Sequence, residues 1–213
     1  MKTNSIIVDY GVGNLYSLKK AIEFTGHSVI ISRKVEDISN ATHIFLPGVG
    51  SFYKASETLK QMNLFNLLKN LDYRNKKIMG ICLGMQLLFQ SSNEDKFSEG
   101  LSLIKGKIEK IKFTNTNNNQ MFKIPNIGWF KLKCNNDYQG EKIIKNLNFK
   151  NDKFYFVHSY HAKNFDLKTL VAHINYDDTL VPAIVKKGNI YGMQFHPEKS
   201  RAAGINLIKN FLS

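Results

Sequence analysis

Over the first ninety positions, apolar residues come in short continuous runs separated by glycine-rich turns and helically spaced stretches. Ile6-Ile-Val-Asp9 has the pattern of a buried strand and Tyr10-Gly-Val-Gly-Asn14 that of a turn; Leu15, Leu18, Ala21 and Ile22 then repeat at helical spacing. Ser28 to Ser32 reads as a second strand and His43-Ile-Phe-Leu46 as a third, running into Pro47-Gly-Val-Gly50. One helical stretch follows, through Ala55, Leu59, Met62, Leu64, Leu67 and Leu68. Lys77 to Phe89 then begins as a strand (Ile78, Met79, Ile81) and ends as a helix (Met85, Leu87, Leu88, Phe89), with Cys82 at the change. Strand and helix in alternation predict an α/β chain with a parallel sheet.

The texture changes near Leu101. Leu103 to Phe113 alternates apolar and polar, and Asn115 to Gln120 is a polar tract that predicts a loop tip. Strands are expected within Phe122 to Cys134, at Phe154–His158, Leu170–Tyr176, Ala183–Lys187 and Ile190–Phe195, with a hairpin turn at Lys187-Gly-Asn189 between the last two. Ile205, Leu207, Ile208 and Phe211 predict a final helix. No internal repeat or low-complexity linker divides the chain.

Composition narrows the function. A chain of 213 residues, 43% hydrophobic and 12% aromatic, fits one domain with a large core. No apolar run approaches the roughly 20 residues of a membrane span, and the run at the N-terminus reads as a strand rather than a signal peptide. Two cysteines, Cys82 and Cys134, make no disulfide framework, which points to a reduced, cytosolic protein. The net charge of +13 raises nucleic-acid binding. The lysines are scattered among Asn, Glu and Ile with no arginine-rich stripe, however, so a solvated surface is the preferred reading.

Three turns carry candidate chemistry. Gly80 and Gly84 flank Cys82 two residues away, as a strand that turns at once into a helix requires. The helix start would offer the sulfur unsatisfied N–H groups and partial positive charge, which favour a thiolate; the alternative is a buried, inert cysteine. In Pro47-Gly-Val-Gly50, glycines around Val49 let backbone N–H groups face a ligand, as an oxyanion hole needs; the alternative is a plain turn. Gly11-x-Gly13 lacks the third glycine of a dinucleotide fingerprint and reads as a turn lining the ligand crevice. After the last strand, Pro197 holds the chain extended so that Glu198 reaches the imidazole of His196, fixing its tautomer. For His-x-Glu alone a solvated turn is the alternative. Together the three turns compose a nucleophile, a base and an orienting acid.

Pro47-Gly-Val-Gly50, Gly80-Ile-Cys-Leu-Gly-Met-Gln86 and His196-Pro-Glu198, in this order and at these separations, resemble the class I (triad) glutamine amidotransferases. The resemblance covers nearly the whole chain and implies one such domain over 1–213, with a mostly parallel central sheet flanked by helices and extra antiparallel strands in the C-terminal half. Ile7 to Leu15, Phe156-Val-His-Ser-Tyr160 and Gln194 to Ser200 resemble more narrowly the glutaminase subunit of imidazole glycerol phosphate synthase.

The resemblance implies an enzyme that hydrolyses L-glutamine to glutamate and ammonia through a γ-glutamyl thioester, with Cys82, His196 and Glu198 as triad. It implies the backbone N–H groups of Val49 and Leu83 as oxyanion hole, and Gly48, Gly50, Gln86, His158, Ser159 and Tyr160 as glutamine pocket. His158 stays open between pocket residue and structural histidine, Trp129 between interface segment and core or edge aromatic; His161 and His173 are expected at the surface. No cofactor, metal, nucleic acid or membrane is implied. Ammonia is expected to pass to a separate (β/α)8-barrel synthase subunit, HisF-like, in a cytoplasmic heterodimer.

The segment Pro125-Asn-Ile-Gly-Trp-Phe130 departs at Asn126 and Phe130 from the usual Pro-His-(Met/Val)-Gly-Trp-Asn, as does the Arg201-Ala-Ala-Gly-Ile205 tail; all three are expected to bear on the partner side. A paralogue amidating a nucleotide-sugar or surface-polysaccharide precursor therefore stands beside the histidine-pathway reading. A non-catalytic scaffold and a cysteine peptidase are the readings from other classes.

Overall fold

The continuous apolar runs of the first half need cover on both faces, and they have it. A computed structural model describes residues 4–112 and 123–213. Strands β1 (Ser5–Val8), β2 (Val29–Ser32), β3 (His43–Leu46) and β4 (Lys77–Ile81) lie parallel in the spatial order β2-β1-β3-β4. Successive side chains on a strand point to opposite faces. Ile7, Phe45 and Met79 accordingly pack with Leu18 and Ile22 of α1 (Leu15–Phe24), whereas Ile6, Ile44 and Ile78 pack on the other face. That second layer is Ile38 of α2 (Val35–Asn40), Leu59 of α3 (Phe52–Gln61) and Leu64 and Leu68 of α4 (Leu64–Asn70). Two apolar layers around one sheet explain why β1 and β3 are buried at every position.

The single helix expected from Ala55 to Leu68 is in fact α3 and α4, because Asn63 takes a left-handed conformation (φ 58°) between them. Asparagine tolerates that region better than most residues, so the apolar spacing continues through the break while the helix does not. The one-turn-and-a-half α2 also escapes the pattern, since only Ile38 of it is buried.

After Cys82 comes α5 (Leu83–Leu87), followed by β5 (Ser91–Ser92), β6 (Ser98–Glu99), β7 (Lys107–Lys110), β8 (Asn126–Phe130), β9 (Lys133–Cys134), β10 (Phe154–His158), β11 (Tyr160–Lys163), β12 (Leu170–Tyr176), β13 (Thr179–Lys187), β14 (Ile190–Met193) and α6 (Arg201–Leu212). Strand β14 adds parallel to β4, and β13, β12 and β9 extend the sheet antiparallel to eight strands. The α/β expectation with antiparallel strands in the C-terminal half thus holds. A four-stranded sheet, β11-β7-β5-β6, and the pair β8–β10 stand beside it. The Asn115–Gln120 tract lies outside the described residues.

Two expectations about side chains are corrected. His161, expected at the surface, is fully buried on β11, where both its ring nitrogens lack a hydrogen-bond partner among the described residues; His173 is partly buried on β12. Asn126 and Phe130, expected to bear on the partner side, point inward: Asn126 is fully buried and Phe130 packs edge-on against Phe156 and Tyr176. Alternation along β8 puts Ile127 and Trp129 outside instead. Cys82 and Cys134 are both free, and no helix among the described residues is long and apolar enough to cross a membrane.

Candidate active site

The elbow is built from backbone contacts. Cys82 sits at φ 54° and ψ −109°, a conformation that a side-chain-bearing residue rarely adopts, between the end of β4 and the start of α5. Its N–H donates to the Met193 carbonyl at 2.7 Å and its carbonyl accepts from the Gln86 N–H at 3.1 Å, so β14 and α5 hold the strained residue from both sides. Glycine is needed at its flanks. A Cβ on Gly84 would lie 1.7 Å from the Leu46 carbonyl oxygen, and one on Gly80 would lie 2.5 Å from the Gly84 oxygen. The helix start is thereby pressed onto the end of β3, where Pro47-Gly-Val-Gly50 begins.

The first turn of the chain serves the same place. Tyr10, fully buried, donates its hydroxyl to the Pro47 carbonyl at 2.7 Å, and a Cβ on Gly48 would meet that hydroxyl at 2.5 Å. The Gly48 carbonyl accepts from the Leu83 N–H at 3.4 Å.

His196 follows β14, with Pro197–Lys199 in a single 3-10 turn that brings Glu198 back beside it. Its Nδ1 lies 2.8 Å from Glu198 Oε1, and both side chains are only 4% exposed. Nε2 has no conventional hydrogen-bond partner among the described residues. Burial pushes the imidazole pKa down, but the Cys82 sulfur and the Glu198 carboxylate beside it more than offset this and raise it well above the ordinary range, to about 10. Ser200 locks the turn: its hydroxyl donates to the His196 carbonyl at 2.6 Å and accepts from the Tyr155 N–H at 3.0 Å. The sulfur of Cys82 is in reach of the Val157 carbonyl at 3.8 Å and of Gln194 Nε2 at 4.0 Å.

A cavity of about 270 Å³ opens on Cys82. Its walls include Val49, Gly50, Leu83, Gln86, His158, Ser159 and Tyr160, so most of the residues expected around a substrate converge there. Gly48 lies just behind, in a narrow cleft shared with Asn14, His196 and Glu198. Gln86 donates from Nε2 to the Tyr160 carbonyl at 2.9 Å and to Gln194 Oε1 at 3.2 Å; with both N–H groups engaged, it can offer the cavity only an acceptor. His158 is at once a wall residue and a structural histidine, for both its nitrogens are engaged, by the Tyr160 carbonyl at 2.9 Å and by Asn126 at 3.1 Å.

Glu94 and Pro125 also line the cavity, although the pattern of the sequence does not mark them. Glu94 accepts from the Phe52 N–H at 2.6 Å and Asp95 from the Ser51 hydroxyl at 2.7 Å, which pins this loop to the start of α3. Burial raises the Glu94 pKa, against the pull of that N–H.

A free cysteine at an elbow, a buried His–Glu pair and a backbone turn at three strand ends form one arrangement. The family model "Glutamine amidotransferase class-I" matches residues 6–213. The chain belongs to the class I glutamine amidotransferases. The amidotransferase is 41% identical over 205 residues to "Imidazole glycerol phosphate synthase subunit HisH" of Oceanobacillus iheyensis, covering 96% of each chain. It is 39% identical to the protein of the same name from Bacillus subtilis, covering 96% of this chain and 93% of that one. Among solved structures, PurLQS from Thermotoga maritima aligns with a TM-score of 0.69 at 22% identity over 100% of this chain and 98% of that one, a likeness of fold alone.

On the outer face of β8, Trp129 is 39% exposed with the Arg201 guanidinium 4.9 Å above its ring and Tyr155 5.7 Å away. It is thus an outward aromatic on a strand edge, not a core residue.

Proposed function

We propose that this amidotransferase is the glutaminase subunit of imidazole glycerol phosphate synthase, acting in histidine biosynthesis as one domain over 1–213. The observation that carries the chemistry is the buried 2.8 Å pair of His196 and Glu198 beside the free Cys82, which lines a cavity of about 270 Å³. The identity of 39–41% over nearly the whole chain to named synthase subunits supports the pathway.

In this reading the Cys82 thiolate attacks the δ-carbon of the glutamine carboxamide. Negative charge then develops on the former carbonyl oxygen, which the backbone N–H groups of Val49 and Leu83 receive; because the Gly48 carbonyl now holds the Leu83 N–H and the Val49 N–H of the same planar peptide points the opposite way, that peptide turns over to present both donors. The C–N bond breaks as His196 Nε2–H protonates the leaving nitrogen, so ammonia departs neutral. The imidazole next takes a proton from water attacking the thioester, and glutamate leaves with Cys82 restored. Glu198 keeps Nδ1 protonated throughout. The Glu94 carboxylate faces the α-ammonium group of the substrate, and the Gln86 oxygen accepts a hydrogen bond from it.

Ammonia in bulk water at neutral pH becomes ammonium, so its use requires a docked synthase. A (β/α)8-barrel subunit, paired as a cytoplasmic heterodimer, fits the exposed Ile127 and Trp129 on the outer face of β8. The inward-facing departures at Asn126 and Phe130 leave that face unchanged. The test mixes the chain and glutamine with a histidine-pathway barrel and its ribulosyl nucleotide, or with a sugar-amidating synthase. Glutamate release stimulated only in the first mixture is expected; stimulation only in the second would move the protein to surface-sugar biosynthesis.

A further inference from the structure

The triad does not use Asn126, yet this side chain, at the start of β8, is completely buried. Its Nδ2 lies 3.1 Å from His158 Nε2, while His158 Nδ1 lies 2.9 Å from the Tyr160 carbonyl. A carbonyl only accepts, so Nδ1 must carry the hydrogen; an amide nitrogen only donates, so Nε2 must carry the lone pair. Both contacts are satisfied together by one species alone, the neutral Nδ1–H tautomer. The Tyr160 carbonyl held in this way is also the acceptor of Gln86 Nε2, and Gln86 in turn donates to Gln194, whose amide reaches the Cys82 sulfur. A continuous buried chain therefore runs from β8 to the nucleophile.

We propose that Asn126 is a positioning residue of the glutaminase reaction: it selects the neutral Nδ1–H tautomer of His158 and thereby fixes the Tyr160 carbonyl and Gln86, the wall that orients the substrate. The inference rests on reading the cavity as the glutamine site.

Two features sharpen it. Asn126 Oδ1 is buried without a partner among the described residues, so the amide gains nothing from its other end and its orientation is set by His158 alone. Turning the amide over would present Oδ1 to the Nε2 lone pair, which repels unless His158 becomes an imidazolium. Burial opposes that charge and holds the His158 pKa down, to about 4; the Tyr160 carbonyl pulls the other way, and His161 and His196 nearby add to the depression.

Nitrogen-15 NMR of the His158 ring reads the tautomer directly, and glutamine titration with the barrel partner present reads the pocket. The wild-type ring is expected as neutral Nδ1–H from pH 6 to 8. Asn126→Asp can only accept, and should convert His158 to the imidazolium at pH 7. Asn126→Leu removes the donor and leaves Nε2 unpaired; for both variants KM for glutamine should rise about tenfold or more, with kcat falling less, as loss of a positioned ground-state contact requires. Asn126→His restores an N–H donor and should keep KM within about threefold of wild type.

An Nε2–H or imidazolium His158 in the wild-type chain would overturn the proposal, whatever the variants do. Equal impairment of the Leu and His variants, with an unchanged tautomer, would reduce Asn126 to a packing residue. No glutamate release by the wild-type complex would overturn the proposed function instead, since the tautomer is read without turnover.

Discussion

Replacing Gly84 by alanine sets two effects of opposite sign against each other. Gly84 is the second residue of α5, and in a free helix alanine would be favoured by about 1 kcal/mol. Here the new Cβ would stand 1.7 Å from the Leu46 carbonyl oxygen and 2.8 Å from its carbon, whereas real Cβ atoms essentially never come within 3.0 Å. More than 1 Å must be found by moving backbone, either the helix start or the end of β3, and neither is a flexible side-chain tip. Overpacking costs about 1–3 kcal/mol and more when backbone must move, so a net loss of about 3 kcal/mol is expected. For a chain of this size that lowers Tm by roughly 6–12 °C. The same displacement carries Cys82 away from Pro47-Gly-Val-Gly50, and a misplacement of 1 Å costs about a hundredfold in rate. Thermal unfolding and glutamate release with the partner barrel would measure both. A Gly84→Ala protein with wild-type Tm and full activity would refute the reasoning that the elbow is wedged against β3.

Three further predictions concern charge. His196 is held up near 10 in the folded chain against 6.5 when free, so its protonation stabilises the fold in full below pH 6.5 and ceases to as pH rises through 10. Glu198→Gln lets burial pull that value down: the loss of stability with rising pH should be smaller and end at lower pH than in wild type, with glutaminase reduced about a hundredfold or more, and parallel denaturation profiles would contradict the pairing. His158 and His161, both buried with pKa values lowered to about 4, cost the fold stability as pH falls from 6.5 towards 4, by about 3 kcal/mol each. His161→Phe removes one of these and two unpartnered nitrogens, so its acid-unfolding midpoint should lie below that of wild type; an unchanged midpoint argues that His161 is hydrated. Glu94→Gln should raise KM for glutamine about tenfold with kcat nearly constant, and an unaltered KM would remove Glu94 from the substrate site.

What the sequence made legible is what local pattern encodes. The buried runs at β1, β3 and β4 lie where their apolar periodicity puts them, and the elbow at Cys82 was readable because glycines at 80 and 84 have a steric cause that spacing reveals. His196 and Glu198 were readable because two residues and a proline fix their geometry locally. The misses come from local breaks too small for a period to register and from long-range contacts. Asn63 breaks a helix by its own backbone conformation while Leu64 and Leu68 keep the apolar spacing going. The two-residue strands β5 and β6 are too short for any period to register. His161 looks like a polar residue among lysines, and only the pairing of β11 with β7 buries it. Glu94 enters the cavity wall, and Asn126 reaches the wall residue His158 from behind, by packing between segments far apart in the chain, which no motif in either segment records.

The most direct test of the central claim is the mass of the Cys82 peptide after acid quenching of the chain mixed with glutamine and the histidine-pathway barrel. The account predicts a γ-glutamyl adduct on Cys82 that is absent without glutamine, with glutamate release abolished in Cys82→Ala. An unmodified Cys82 peptide, or undiminished glutamate release by Cys82→Ala, would contradict it.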